Sequence, residues 1–149
     1  MNQHPNYRYT FVLLAFLFFQ GAVAARPVTP EDAALVGKHF FESTNKGRAL
    51  ANQLNLTLVY GGNLDAMLEA TPKFYIFNIN TADGFVIVSA DDMVRPVLGY
   101  AEQGVFHTEN MPVNLSKTLD QYKQEIFYTI ENDIKPTQEV AQQWVDLRI

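Results

Sequence analysis

The sequence predicts an α+β domain, an antiparallel β-sheet flanked by N-terminal and C-terminal helices. Three observations predict it. Apolar residues recur every three or four positions across residues 30–43 and 114–132, the period of a helix face, and every second position across 54–60, the period of a strand. Two aromatic and β-branched runs, Phe74-Tyr-Ile-Phe-Asn-Ile79 and Phe85-Val-Ile-Val-Ser89, flank a short loop ending in Gly84, the pattern of a β-hairpin. The chain has no cysteine, so an apolar core rather than disulfides must hold it together.

Each element has a local justification. Thr29 can cap a helix, Pro30 suits the first helical position, and Glu31 and Asp32 favour its positive end. Ala33, Val36, Gly37, Phe40 and Phe41 then recur at helical spacing, which predicts a helix over 30–43. A second helix is expected over 46–53, weakened by Asn45 and Gly47. Leu54, Leu56 and Leu58 alternate with Asn55 and Thr57, a half-buried strand that ends at Tyr60 before Gly61-Gly62. Pro96-Val-Leu-Gly-Tyr100 reads as a further short strand, and Gly104-Val-Phe106 as a turn or another short strand. Leu115, Leu119, Tyr122, Ile126 and Ile130 form one apolar stripe on a helix whose expected cap is Asn114. Pro136 interrupts it, and Thr137 with Glu139 starts a last helix carrying Val140, Trp144 and Leu147.

The first 24 residues read as an export leader. Arg8 precedes the apolar run Phe11-Val-Leu-Leu-Ala-Phe-Leu-Phe-Phe19, and Ala22 and Ala24 suit the positions before a signal-peptidase cut. The run is too short to span a bilayer, so no stable membrane span is expected after cleavage. The expected mature domain is residues 25–149, periplasmic or extracellular, and the cysteine-free composition leans towards a bacterial source. Removing Arg8 from 11 basic residues against 16 acidic ones deepens the formal charge from −5 to −6. Such a surface repels phosphate backbones, and no Lys/Arg cluster offsets it, which argues against nucleic acid as a partner. Asn55-Leu-Thr57 and Asn114-Leu-Ser116 match the glycosylation sequon, a short motif that also arises by chance.

No residue set for chemistry emerges. Adjacent carboxylates at Asp91 and Asp92 can in principle hold a metal or share a proton, but neighbours on an extended chain point opposite ways. A turn capped by Asp and paired with Arg95 is the expected arrangement. His39 and His107 have no catalytic partner nearby in sequence, and Ser89 sits in no Gly-x-Ser-x-Gly elbow. Gly61-Gly62 lacks a phosphate-cradling pattern. The expected function is therefore non-catalytic, with no cofactor and no metal, and acts on another protein. Trp144 is expected to pack over the sheet, with an anchor onto another protein as the alternative. An open edge of the hairpin sheet can receive an extended segment.

The series Phe74-Tyr-Ile-Phe-Asn-Ile79, Gly84-Phe-Val-Ile-Val-Ser-Ala-Asp-Asp92 and Arg95-Pro-Val-Leu-Gly-Tyr100 resembles the pro-domain of the streptopain family of secreted papain-like cysteine proteases. Gly104-Val-Phe106, Asn110-Met-Pro112 and Leu119-Asp-Gln-Tyr122-Lys-Gln-Glu-Ile126 continue it in order, and Pro27-Val-Thr-Pro-Glu-Asp-Ala33 resembles its first helix. The resemblance covers nearly all of residues 25–149. It implies an inhibitory zymogen pro-domain that sits over the active-site region of a streptopain-like protease, displaces its catalytic histidine and assists folding. Free-standing relatives look like dedicated inhibitors, so the partner acts in cis or in trans. An isolated pro-region, a free-standing inhibitor and a truncated gene are the three readings of a chain without the protease domain. The alternative function is a secreted structural or binding module that does not inhibit. Loops 78–84, 91–95 and 101–113 are expected to be exposed. The expected protease contacts are Phe106, His107, Asp91, Asp92, Arg95 and Trp144, with the acidic surface steering association towards a basic enzyme face.

Overall fold

All six side chains of the strand Phe74–Ile79 are buried, which places it in the interior of the sheet with helices on both sides. The computed structural model describes residues 27–50, 53–61 and 72–149; the leader expected at 1–24 lies outside the described residues. The elements in order are α1 (Pro30–Ser43), α2 (Asn45–Leu50), β1 (Leu56–Tyr60), β2 (Phe74–Ile79), β3 (Phe85–Ser89), β4 (Val97–Ala101), α3 (Val113–Glu131) and α4 (Gln138–Leu147). The four strands pair antiparallel in the order β1-β2-β3-β4. The α+β architecture, with helices at both ends of the chain flanking an antiparallel sheet, is the one the periodicity predicts.

Strand alternation divides the core between two faces. Tyr75, Phe77 and Ile79 on β2, with Val86 and Val88 on β3, meet Ala33, Val36 and Phe41 of α1 and Trp144 of α4. Phe74 and Ile76, with Ile87 and Leu98, meet Leu119 and Ile126 of α3. Each large apolar side chain so buried is worth about 1.5–3 kcal/mol relative to exposure. The expected α3 stripe holds throughout, because Leu115, Tyr122 and Ile130 also pack against this second core.

Thr29 and Thr137 cap as expected, their hydroxyls accepting from the N–H groups of Asp32 and Val140, each at 3.2 Å. Several boundaries differ from expectation; β4, for one, runs Val97–Ala101 rather than 96–100. Asn114 is not a cap: α3 begins one residue earlier, after Pro112, with no side-chain cap, and the Asn114 carbonyl accepts from Thr118 Oγ1 inside the helix. Proline's fixed φ suits entry to a helix better than an Asn two residues further on. β1 starts at Leu56 because Asn80 engages both main-chain groups of Asn55, N–H to Oδ1 at 2.9 Å and C=O from N–H at 2.8 Å. α2 spans Asn45–Leu50 rather than 46–53, of which 51–52 lie outside the described residues. Gly47 supports this turn instead of weakening it, since a Cβ there would lie 1.8 Å from the Phe41 carbonyl oxygen.

The last helix is fastened by directed polar contacts. The Trp144 indole N–H donates to the Val94 carbonyl at 2.8 Å. His39 Nδ1 lies 2.9 Å from the Leu147 carbonyl, which fixes that nitrogen as the donor. Arg148 contacts Asp32 through Nε at 3.0 Å and through its terminal nitrogen at 2.9 Å, approaches Asp92 at 3.7 Å, and stacks 4.7 Å from the Trp144 ring centre.

Candidate functional site

The loop after β4 is tied down at two points and then set free. Near its start, the Gly84 N–H donates to the Gly104 carbonyl at 3.0 Å and the Gly104 N–H to the Ala82 carbonyl at 3.2 Å. Gly104 touches the hairpin through an isolated bridge to Asp83, and Val105 and Phe106 beyond it belong to neither a turn nor a strand. Two residues on, the Asn78 side chain pairs with the main chain of Phe106. Its Nδ2 donates to the Phe106 carbonyl at 3.0 Å, and its Oδ1 accepts the Phe106 N–H at 2.8 Å. This buried amide satisfies both main-chain groups of a segment that has no strand partner.

Phe106 is consequently an anchor. Its ring is 3 % exposed and packs edge-on against Phe85, with centres 5.5 Å apart. The expectation that Phe106 is exposed fails, because the Asn78 clamp turns its side chain into the α3-face core. His107 and the residues to Asn110 are exposed, and Asn110 adopts the left-handed conformation at φ 53° before the chain enters α3. Phe85, Val105, His107, Met111 and Leu115 line a groove of 610 Å³ beneath this segment. The result is a short free loop presented by rigid supports.

The other expected contact residues are scattered. Trp144 is 2 % exposed and completes the α1/α4 core, in line with packing over the sheet. Asp91 is 7 % exposed, so the expected openness of 91–95 does not hold there, nor does it at Met93. The Asp91 carboxylate accepts the Met93 N–H at 2.9 Å, the Asp-capped turn that was expected. Burial pushes its pKa up; the Met93 N–H opposes this, and the neighbouring Asp92 charge adds to it. Asp92 faces Arg148 at 3.7 Å, a partner that local spacing does not indicate. Arg95 is exposed and reaches the Leu98 carbonyl at 3.4 Å. In the 78–84 loop, Asn78, Ile79 and Gly84 are buried. Asp83 is held below the usual carboxylate range by hydrogen bonds from Asn80 and Lys46.

Sequence reasoning missed Asn78. Its signal was the one polar residue within Phe74-Tyr-Ile-Phe-Asn-Ile79, since a buried amide requires partners. The two aspartates serve different neighbours, and among the described residues no group of three His, Cys, Asp or Glu side chains can hold a metal ion. The chain contains no cysteine to act as a thiol nucleophile.

The thiol protease/hemagglutinin PrtT of Porphyromonas gingivalis is 32 % identical over 113 residues, which cover 75 % of this chain and 13 % of that protein. The chain thus spans about an eighth of the length of that relative. No solved structure matches it. Residues 25–126, which contain the whole sheet and α3 as far as Ile126, match the family described as Spi protease inhibitor. The chain belongs to the Spi protease inhibitor family.

Proposed function

We propose that this domain inhibits a papain-like cysteine protease of the streptopain type by seating on its active-site region, with residues 107–111 as the segment that excludes substrate. The family match across residues 25–126 carries the reading. The shape of the loop supports the choice of segment: Gly104 and Phe106 are fastened to the sheet, so the exposed residues 107–110 start from a fixed base. A loop ordered before binding loses less entropy on docking than a mobile one. His107 makes the enzyme contact, and Phe106 positions it from within the core. Such a block requires about 1,000 Å² or more of total buried surface, so flanking residues contribute as well.

The domain acts after export, once the leader at 1–24 is removed, either within a precursor or as a separate inhibitor. Within a precursor it also assists folding of the protease. Among the described residues no helix is long and apolar enough to cross a membrane.

The test is a titration of residues 25–149 against an active streptopain-type protease, with papain as the control and peptide hydrolysis as the readout. Tight inhibition of the first enzyme and not of papain supports a dedicated inhibitor. Absence of inhibition by a folded, undigested domain overturns the reading and leaves a secreted binding module. If Phe106→Ala and His107→Ala leave the inhibition constant unchanged, the blocking segment lies elsewhere. Association that slows with added salt is the signature of the acidic surface steering the encounter.

A further inference from the structure

β4 is an edge strand, and its exposure changes abruptly along its length. Leu98 is buried, and its carbonyl accepts the Tyr122 hydroxyl at 2.9 Å and the Arg95 guanidinium at 3.4 Å. Two residues on, Tyr100 is 51 % exposed. The register fixes the direction of its main chain. Ile79 N–H bonds to Gly84 C=O and Ala90 N–H to Lys73 C=O, so the alternate β3 residues Val86 and Val88 bond towards β2. Tyr100 stands opposite Val86, so its own N–H and C=O point away from the sheet. The edge is therefore closed at Leu98 and open at Tyr100.

Beside the open position runs a second groove of 450 Å³, on the opposite side of the sheet from the 107–111 loop. Phe40, Pro96, Val97 and Leu147 give it an apolar lining; Arg95 and Asp146, the latter accepting a hydrogen bond from Gln142 at 2.7 Å, add one charge of each sign. Tyr100 extends this lining, because its ring packs edge-on against Phe40 with centres 5.0 Å apart. Outward main-chain groups next to an apolar groove that also carries Arg95 and Asp146 suit an extended peptide better than a helix or a flat face.

We propose that the Tyr100 edge and this groove bind an extended segment of the target cysteine protease, outside its catalytic cleft. The segment pairs with the Tyr100 main chain and lays an apolar side chain over Phe40 and Tyr100. It directs an acidic residue to Arg95 and a basic one to Asp146. This rests on the inhibitor reading above and adds a second, independent point of attachment. The choice of occupant is supported by the Porphyromonas gingivalis relative, in which the matched region is a small part of a chain named a thiol protease/hemagglutinin. Two attachment points on opposite sides of one edge strand fix the orientation of the enzyme over the 107–111 loop.

The experiment measures binding of the chain to the protease after its catalytic thiol has been alkylated, so that nothing is digested. Tyr100→Ala and Arg95→Glu are each expected to weaken binding by about tenfold, the scale of an interface anchor, with an unchanged melting temperature. Tyr100→Phe, which keeps the ring, retains binding. Binding by Tyr100→Ala and Arg95→Glu within about twofold of the unaltered chain, alongside undiminished inhibition, overturns the second attachment and leaves the inhibitor reading standing. If the unaltered chain neither binds nor inhibits, both fail together.

Discussion

Against one face of the sheet, α1 and α4 are fastened by apolar packing and by directed polar contacts: Trp144 to Val94, His39 to Leu147, and Arg148 to Asp32. Against the other, α3 rests on an apolar stripe, with Tyr122 reaching Leu98, and begins without a side-chain cap. Its outer residues Phe127 and Tyr128 are exposed. The first face joins segments distant in sequence and closes the domain. The second leaves its helix entry without a side-chain cap, and residues 107–110 of the loop before it exposed. The proposed blocking segment lies on the face whose local structure is less constrained, with Asn78 supplying the rigidity that a cap would otherwise provide.

Four substitutions break or sharpen this contrast. The largest effect is expected from Trp144→Ala, which opens a cavity among buried side chains and orphans the Val94 carbonyl. It should cost about 3–5 kcal/mol of unfolding free energy by denaturant titration followed by circular dichroism. A loss below 1 kcal/mol would mean that α4 is dispensable to the core, roughly the cost of a surface change.

Asn78→Leu comes next. It keeps bulk but leaves the buried N–H and C=O of Phe106 without partners, at a cost of about 2 kcal/mol. Because it frees the loop as well, inhibition of the protease should fall more than stability alone explains. Full inhibition by a partly destabilised Asn78→Leu protein would separate the loop from the block. Arg148→Ala is smaller, about 1 kcal/mol or less, since the side chain is a third exposed and water screens its ion pairs. Its loss should weaken as salt is raised.

The smallest effect belongs to Asp91→Asn. An acid whose folded-state pKa lies above its unfolded value favours folding most when protonated. That contribution is complete below the unfolded carboxylate pKa and is lost as pH rises through the raised one. Asn keeps an acceptor for the Met93 N–H and removes the buried charge. A slight gain in melting temperature is expected at neutral pH, disappearing in acid. A loss at neutral pH would show that the carboxylate is stabilising where it sits. Asp83 runs the opposite way: its lowered pKa contributes stability above the carboxylate range that fades as pH falls through it.

The hairpin 74–89 was legible because period, composition and loop chemistry agree within a few residues, and the Thr29 and Thr137 caps because capping acts over a single turn. Contacts that join remote positions were not legible. Asn78 clamps a residue 28 positions away, and Arg148 bonds to a carboxylate 116 positions away, separations at which periodicity carries no information. The same limit explains Phe106. An aromatic in a loop reads as exposed until the amide that turns it inward is known. Gly47 misled for a related reason, since its value lies in the backbone approach to Phe41 and not in helix propensity.

The chain has one tryptophan, and it lies in the core between α1 and α4, with its indole N–H bonded to a carbonyl and a guanidinium over its ring. Its fluorescence is therefore a built-in optical gauge of a single event, the seating of the C-terminal helix. Water reaching the indole as α4 lifts would shift its emission to the red, while an enzyme docked on the 107–111 loop would leave the colour unchanged. Unlabelled protein can thus report whether the C-terminal helix stays seated while other parts of the domain are perturbed.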